Sequence, residues 1–296
     1  MSTTKTIIAL DLGATWIRGA VFDESLKVLH ESRVASRDSI QGKADPNFLR
    51  SKELASNLAK WVKEQGLSLV AGCIAVPEYV DSSGNITSEE QISWSIQPSK
   101  LLEEATGIPW FTESDVRCAA IAETSRFKDF LYVTVSSGIS HCLVIRGEPL
   151  TGAFGRAIGL GTMKASDGLL TVEEIASGLG IARRYHALTG SELNAEEITA
   201  RYESDAVART IMDEASFELA LALNHAAMIL DPGRIIMGGG FWLGSELLRK
   251  LTIHRFEALM NGNILPELSD ATSENSGLRG VGISAWRLLH AVPKSD

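Results

Sequence analysis

Two acids and three clusters of small residues are the parts of this chain that could handle phosphate. Asp11 ends an apolar run and is followed by Gly13 and Thr15 before apolar positions resume at Trp16. Gly13 can take φ > 0 and let backbone approach a ligand. Thr15 offers a hydroxyl, and neighbouring N–H groups can cradle a phosphate. Asp11 is placed to hold a metal ion or its water, although an ordinary hairpin with a polar tip accounts for the same residues. Asp115 stands where a short strand meets an alanine-rich helix, the position at which ligands bind in open α/β sheets. A helix N-cap is the other account of that aspartate. Ser136 to Ser140 is a second small-residue turn, with Ser137 and Gly138 at its centre. Gly238, Gly239 and Gly240 leave room for a nucleotide, or for a tight turn between strand and helix.

The elements that must position these residues follow from periodicity. Residues 5–10 and 16–22 predict the strands of a hairpin, and residues 25–37 a third strand. Leu54, Leu58, Trp61 and Val62 share one helical face, ended by Gly66. Residues 67–76 read as a buried strand, residues 99–105 as a short helix and 108–111 as a further strand. Helices are expected over 116–126, 172–187, 204–230, 243–259 and 281–289, with a capping box at Asn194 and Glu197. Strands are expected over 130–135, 141–145 and 234–237. The two hairpins are of one kind, a weak internal repeat that predicts two related lobes with a cleft between them.

The chain has 296 residues, 45% of them hydrophobic, and a net charge of −9. That length suits two domains. An acidic chain without a basic stretch is a poor match for nucleic acid or an anionic membrane. Its first five residues are polar and the apolar run after them is too short for a leader or a span, so a cytoplasmic location is expected. Cys73, Cys118 and Cys142 are scattered and odd in number, which suits buried thiols in a reducing compartment.

Five segments, in order, resemble the ROK family of bacterial sugar kinases and sugar-responsive repressors. They are Asp11-Leu-Gly-Ala-Thr15 with Arg18; Ala75-Val-Pro77 with Asp81; Glu113-Ser-Asp115 with Ala119 and Ala120; Ser136 to Ser140; and Leu230-Asp-Pro through Gly240. The resemblance implies an α/β, two-lobed, actin-like (ribonuclease H-like) fold. One lobe would hold residues 1–117 and 283–296, the other residues 118–282. It implies ATP-dependent transfer of a phosphoryl group to a sugar hydroxyl, with Asp115 as the base. Asp11, Gly13, Thr15, Ser137, Gly138, Gly238, Gly239 and Gly240 would bind ATP, with Mg²⁺ held through Asp11. Pro77, Ser114, Asp115, Thr162 and Glu173 would line the sugar, and a homodimer is the family's usual assembly.

Several positions depart from the family pattern. Ser114 replaces an asparagine; Gly159 and Thr162 fall where a sugar-binding glutamate and histidine are usual. Losing both contacts weakens a glucose-like ligand by roughly 3–6 kcal/mol at about 1.5–3 kcal/mol per charged hydrogen bond. Glu78, Arg117 and His141 are candidates for replacement contacts. No cysteine lies between Met163 and Glu173, where the family's zinc motif would fall, so no zinc is expected. A catalytically degenerate sensor of sugar or nucleotide is the alternative these departures allow.

Overall fold

The computed structural model describes residues 3–13, 15–36, 46–92, 94–272 and 276–291. They form two compact units. The first takes the described residues up to Arg126, Thr151–Ala157 and the C-terminal helix. Its sheet has the order β3-β2-β1-β4-β5. Strands β1 (Lys5–Leu12), β2 (Trp16–Asp23) and β3 (Val28–Ala35) form an antiparallel meander, while β4 (Ser68–Val76) and β5 (Trp110–Ser114) run parallel to β1. Arg37, the last residue expected in the third strand, lies outside the described residues.

After Lys5 every residue of β1 is buried, because both faces of the strand are covered. Ile8 and Leu10 pack with Leu54, Leu58 and Val62 of α1 (Pro46–Glu64), and Leu102 of α2 (Pro98–Thr106) joins that cluster. Ile7 and Ala9 face Cys118 of α3 (Asp115–Glu123) and Val281 and Ala285 of α10 (Ser276–Ala291). Each fully buried Leu or Ile contributes about 1.5–3 kcal/mol. Helix α3 packs on α10, so the first unit runs past the expected break at residue 117 and takes in all of α10.

The second unit repeats this plan with the order β10-β9-β6-β7-β8. Strands β6 (Phe130–Val135), β7 (Ile139–Ile145) and β8 (Glu148–Pro149) form the antiparallel part. Strands β9 (Arg234–Gly238) and β10 (Glu267–Asp270) run parallel to β6. Its core joins the sheet to α4 (Val172–Ala176), α5 (Gly178–Thr189), α6 (Ala195–Thr199), α7 (Ala206–Leu230), α8 (Gly240–Gly244) and α9 (Glu246–Met260). The helix expected over 172–187 is two helices, because Ser177 is extended (ψ 160°) and its hydroxyl accepts from Gly180 N–H. Asn194 and Glu197 form the expected capping box. Strand β10 was not foreseen: Glu-Leu-Ser-Asp shows no apolar run.

All three cysteines are buried, with Cys73 and Cys118 in the first unit and Cys142 in the second. Among the described residues no helix is long and apolar enough to cross a membrane.

Candidate active site

The first unit brings Asp11, Pro77, Ser114 and Asp115 to the C-terminal ends of β1, β4 and β5, the edge at which parallel sheets bind ligands. Asp11 is 7% exposed and sits opposite Arg18 in the β1–β2 register. Arg18 Nη2 donates to Asp11 Oδ2 at 2.9 Å, while Oδ1 takes no hydrogen bond from the described residues. Burial pushes the Asp11 carboxyl above its ordinary value against the pull of Arg18. Gly13 N–H closes the hairpin onto Trp16 O at 3.1 Å. Thr15 is exposed at the tip, and its hydroxyl has no partner among the described residues.

Asp115 is the first residue of α3, with Ser114 in the N-cap position. Its Oδ1 accepts from Val116 N–H at 2.6 Å. Burial, then the negative charge of Asp11, and more weakly that of Glu78, raise its pKa to about 7, against the opposing hydrogen bonds from Val116 N–H and the Ser114 hydroxyl. Two carboxylates thus share one low-dielectric corner, one partly neutralised by arginine and the other half-protonated near neutrality. Among the described residues the buried Thr112 hydroxyl has no hydrogen-bond partner, and the buried Ser114 hydroxyl has none beyond its interaction with the Asp115 carboxylate.

Glu78 and Arg117 are occupied by their own surroundings. Glu78 is 2% exposed and gathers the segment after it: Ser88 Oγ and Glu90 N–H donate to Oε2, Gln91 and Ile92 N–H to Oε1. Arg117 donates through Nε to Glu113 Oε1 and through Nη2 to Val80 O, each at 2.6 Å. Both residues shape the loop after Pro77; the Glu78 oxygens are taken up, while Arg117 keeps its buried Nη1 without a hydrogen-bond partner among the described residues.

In the second unit the two remaining glycine-bearing turns lie side by side. Gly239 has φ +92°, and a Cβ there would stand 2.3 Å from Val135 O. A Cβ on Gly240 would stand 4.0 Å from Ser136 Oγ. Turn 136–140 is fixed by Ser136 N–H to Gly138 O and by Gly178 N–H, at the start of α5, to Ser136 O, both 2.8 Å. The N–H groups of Ser137 and Gly138 have no partner among the described residues.

Glu173 braces this turn from below. Its Oε2 accepts from Ile139 N–H at 2.6 Å, and a Cβ on Gly138 would come within 2.6 Å of that oxygen. Glu173 N–H also donates to Gly161 O at 2.9 Å. The segment before Gly161 is fastened to β7: Ser140 Oγ donates to Ile158 O and Leu160 N–H to His141 Nδ1. Burial holds His141 neutral, down to about 4. Its Nδ1 being an acceptor, the ring serves to fasten this segment. Thr162 turns its hydroxyl back onto Gly159 O at 2.9 Å. The role of Glu173 under the turn left no trace in the sequence, since its partner lies 34 positions away.

Residues 163–172, where zinc ligands would fall, form a small closed loop. Ser166 N–H and Oγ both donate to the buried carboxylate of Glu218 on α7, Lys164 Nζ donates to Leu169 O, and Asp167 accepts from Leu169 and Leu170 N–H.

The ROK family pattern matches residues 7–285. A β-glucoside kinase of Listeria monocytogenes is 28% identical over 267 residues, spanning 84% of this chain and 87% of that one. A glucokinase of Halalkalibacterium halodurans is 25% identical over 301 residues, 89% of this chain and 87% of that one. The crystal structure of a ROK hexokinase from Thermus thermophilus superposes with a TM-score of 0.80 at 25% identity, covering 96% of this chain and 99% of that one. Sequence pattern, full-length relatives and duplicated topology agree, and the chain belongs to the ROK family.

Proposed function

We propose that this protein is an ATP-dependent sugar kinase in which Asp115 is the general base. The observation that carries the reading is the pair Asp11 and Asp115, a buried and a half-buried carboxylate that feel each other's charge at the strand ends. A sugar hydroxyl is a poor nucleophile at neutral pH. Asp115 accepts its proton as attack proceeds, and a pKa of about 7 suits that exchange. The buried Ser114 hydroxyl beside it, which interacts with the Asp115 carboxylate, fits an acceptor rich in hydroxyls.

Asp11 Oδ1 is a buried anionic oxygen short of donors, which fits Mg²⁺ carried with ATP. The free N–H groups of Ser137 and Gly138, the exposed Ser137 hydroxyl and the adjacent Gly238 to Gly240 turn fit the phosphates and nucleoside. MgATP supplies the phosphoryl group; the chain orients it, excludes water and takes the proton. Pro77 and Glu173 belong to the acceptor side in this reading, Glu173 also setting the turn above it. The intact Asp11 and Asp115 weigh against a degenerate sensor. No structural zinc is expected at residues 163–172, a loop that Glu218 fastens through Ser166. A cytoplasmic homodimer completes the reading, supported by apolar side chains left exposed on α5 and α7, among them Leu188, Phe217 and Ile229.

The test is sugar-dependent ADP release across hexoses, N-acetylhexosamines and glycosides, with Asp115→Asn alongside. Sugar-dependent turnover lost by about 10²–10⁴-fold in the variant supports the assignment; undiminished turnover would remove Asp115 from the chemistry.

A further inference from the structure

Two strands of the first unit end side by side. The parallel register of β4 and β5 pairs Val76 with Ser114, so Pro77 and Asp115 leave the sheet as neighbours. From there the chain segments part. Asp115 opens α3, while the residues after Pro77 form the loop gathered by Glu78. Arg117 joins them again. Its Nη2 donates to Val80 O and its Nε to Glu113 Oε1, each at 2.6 Å. Glu113 Oε1 also accepts from Ser114 N–H at 2.8 Å. One guanidinium therefore holds the strand end before Asp115, the helix turn after it and the loop beside it. The loop end of this tie is itself fixed. Val80 bridges Ile86, and Gly155, at φ +73°, packs so closely that a Cβ there would stand 2.4 Å from Val80 O.

Stability does not account for an arginine at this position. Its side chain is 1% exposed, and the buried Nη1 has no hydrogen-bond partner among the described residues. Desolvating a guanidinium is costly, and a buried ion pair commonly does no better than apolar residues of the same volume. A buried N–H without an acceptor adds to the cost. A methionine would fill much of the same space. What arginine alone supplies is a rigid planar fork that reaches two acceptors on different segments.

We infer that Arg117 is a positioning residue: by clamping Val80 O and Glu113 it fixes where the Asp115 carboxylate stands relative to the loop after Pro77, and so aligns the base with the acceptor hydroxyl. This rests on the kinase reading, in which Asp115 is the base. The action is geometric, since the charges that raise the Asp115 carboxyl are those of Asp11 and Glu78 and not that of Arg117.

The experiment measures kcat, the KM values of sugar and ATP, the pH–rate profile and the melting temperature of Glu113→Gln/Arg117→Met, Arg117→Lys and Asp115→Asn beside the wild type. Rates are counted per bound non-hydrolysable ATP analogue, so that unfolded protein does not enter. In the double variant, which leaves no unpaired buried charge, kcat is expected to fall about 10²-fold, the scale of a roughly 1 Å misplacement. Its melting temperature and its KM for ATP stay near those of the wild type, and the acid limb of its profile stays at about 7. Arg117→Lys, which keeps the charge but offers a single point donor, turns over at a rate between the two. Undiminished kcat per site in the double variant, or an acid limb that moves, would overturn the inference. Should the double variant fail to bind the analogue, Arg117→Lys decides: a lowered kcat with an unmoved acid limb supports the clamp, and undiminished kcat removes it. Active Arg117 variants beside an inactive Asp115→Asn would remove the clamp and leave the kinase standing. A wild type silent on every sugar, or an active Asp115→Asn, would remove the kinase reading and this inference with it.

Discussion

Asp115 is the carboxyl expected to titrate near neutrality. Its pKa is raised to about 7, chiefly by burial and next by Asp11. With Asp115 as the proposed base, the free enzyme's kcat/KM is expected to fall as pH drops through about 7, where that carboxyl becomes protonated, as a pH–rate profile would show. Its stability contribution has the opposite preference. A carboxyl whose folded pKa lies above its unfolded value of about 3.9 favours the fold below that value, and this is lost as pH rises through 7. Asp115→Asn is expected to be inactive and to melt higher than the wild type at pH 8, with the gap closing at pH 4; equal melting at both would show that Asp115 carries no strain. At the second turn, Gly138→Ala places a methyl against Glu173 Oε2. It should raise KM for ATP about tenfold or more with a smaller effect on the sugar, measured by separate titrations. Asp11 and Asp115 were legible because each follows a strand-like run and meets a glycine or a helix start. The structural partners of Glu78 and His141 were not legible, because they lie in irregular loops, which have no period to read.

Hairpins and long helices were readable as elements, since apolar spacing and capping residues mark them. The breaks at Ser177 and Ser245 were not, because each serine ends one helix and caps the next without interrupting the apolar pattern. Polar β10 was invisible for the reason that edge strands carry little apolar sequence. The loop over residues 163–172 is fastened to α7 through one carboxylate. Glu218 takes two hydrogen bonds from Ser166 while 6% exposed. Glu218→Ala should cost about 2–4 kcal/mol, judged from about 1.5–3 kcal/mol per bond to a charged group with partial rescue by water. A chelator should leave the melting temperature of the wild type unmoved. A large drop with chelator and none with Glu218→Ala would point to a metal instead.

At the scale of the whole molecule, one sheet plan occurs twice, β3-β2-β1-β4-β5 and β8-β7-β6-β9-β10. The weak similarity of the two hairpins was the sole sequence trace of it, because the plan is kept by strand order and burial and not by residue identity. Each unit has its own core, and each carries part of the proposed site: Asp11, Gly13 and Asp115 in the first, Glu173 and the turns at 136–140 and 238–240 in the second. The buried cysteines divide along the same line, and all three are 0% exposed. Burial drives the Cys73 and Cys118 thiols far above their ordinary pKa, so neither reacts while its unit stays closed. The chain thus carries internal timers of its own opening. Pulsed alkylation read by mass spectrometry should date the opening of each unit separately. A non-hydrolysable ATP analogue should slow modification of Cys142 more than of Cys73 and Cys118, and an acceptor sugar should do the reverse.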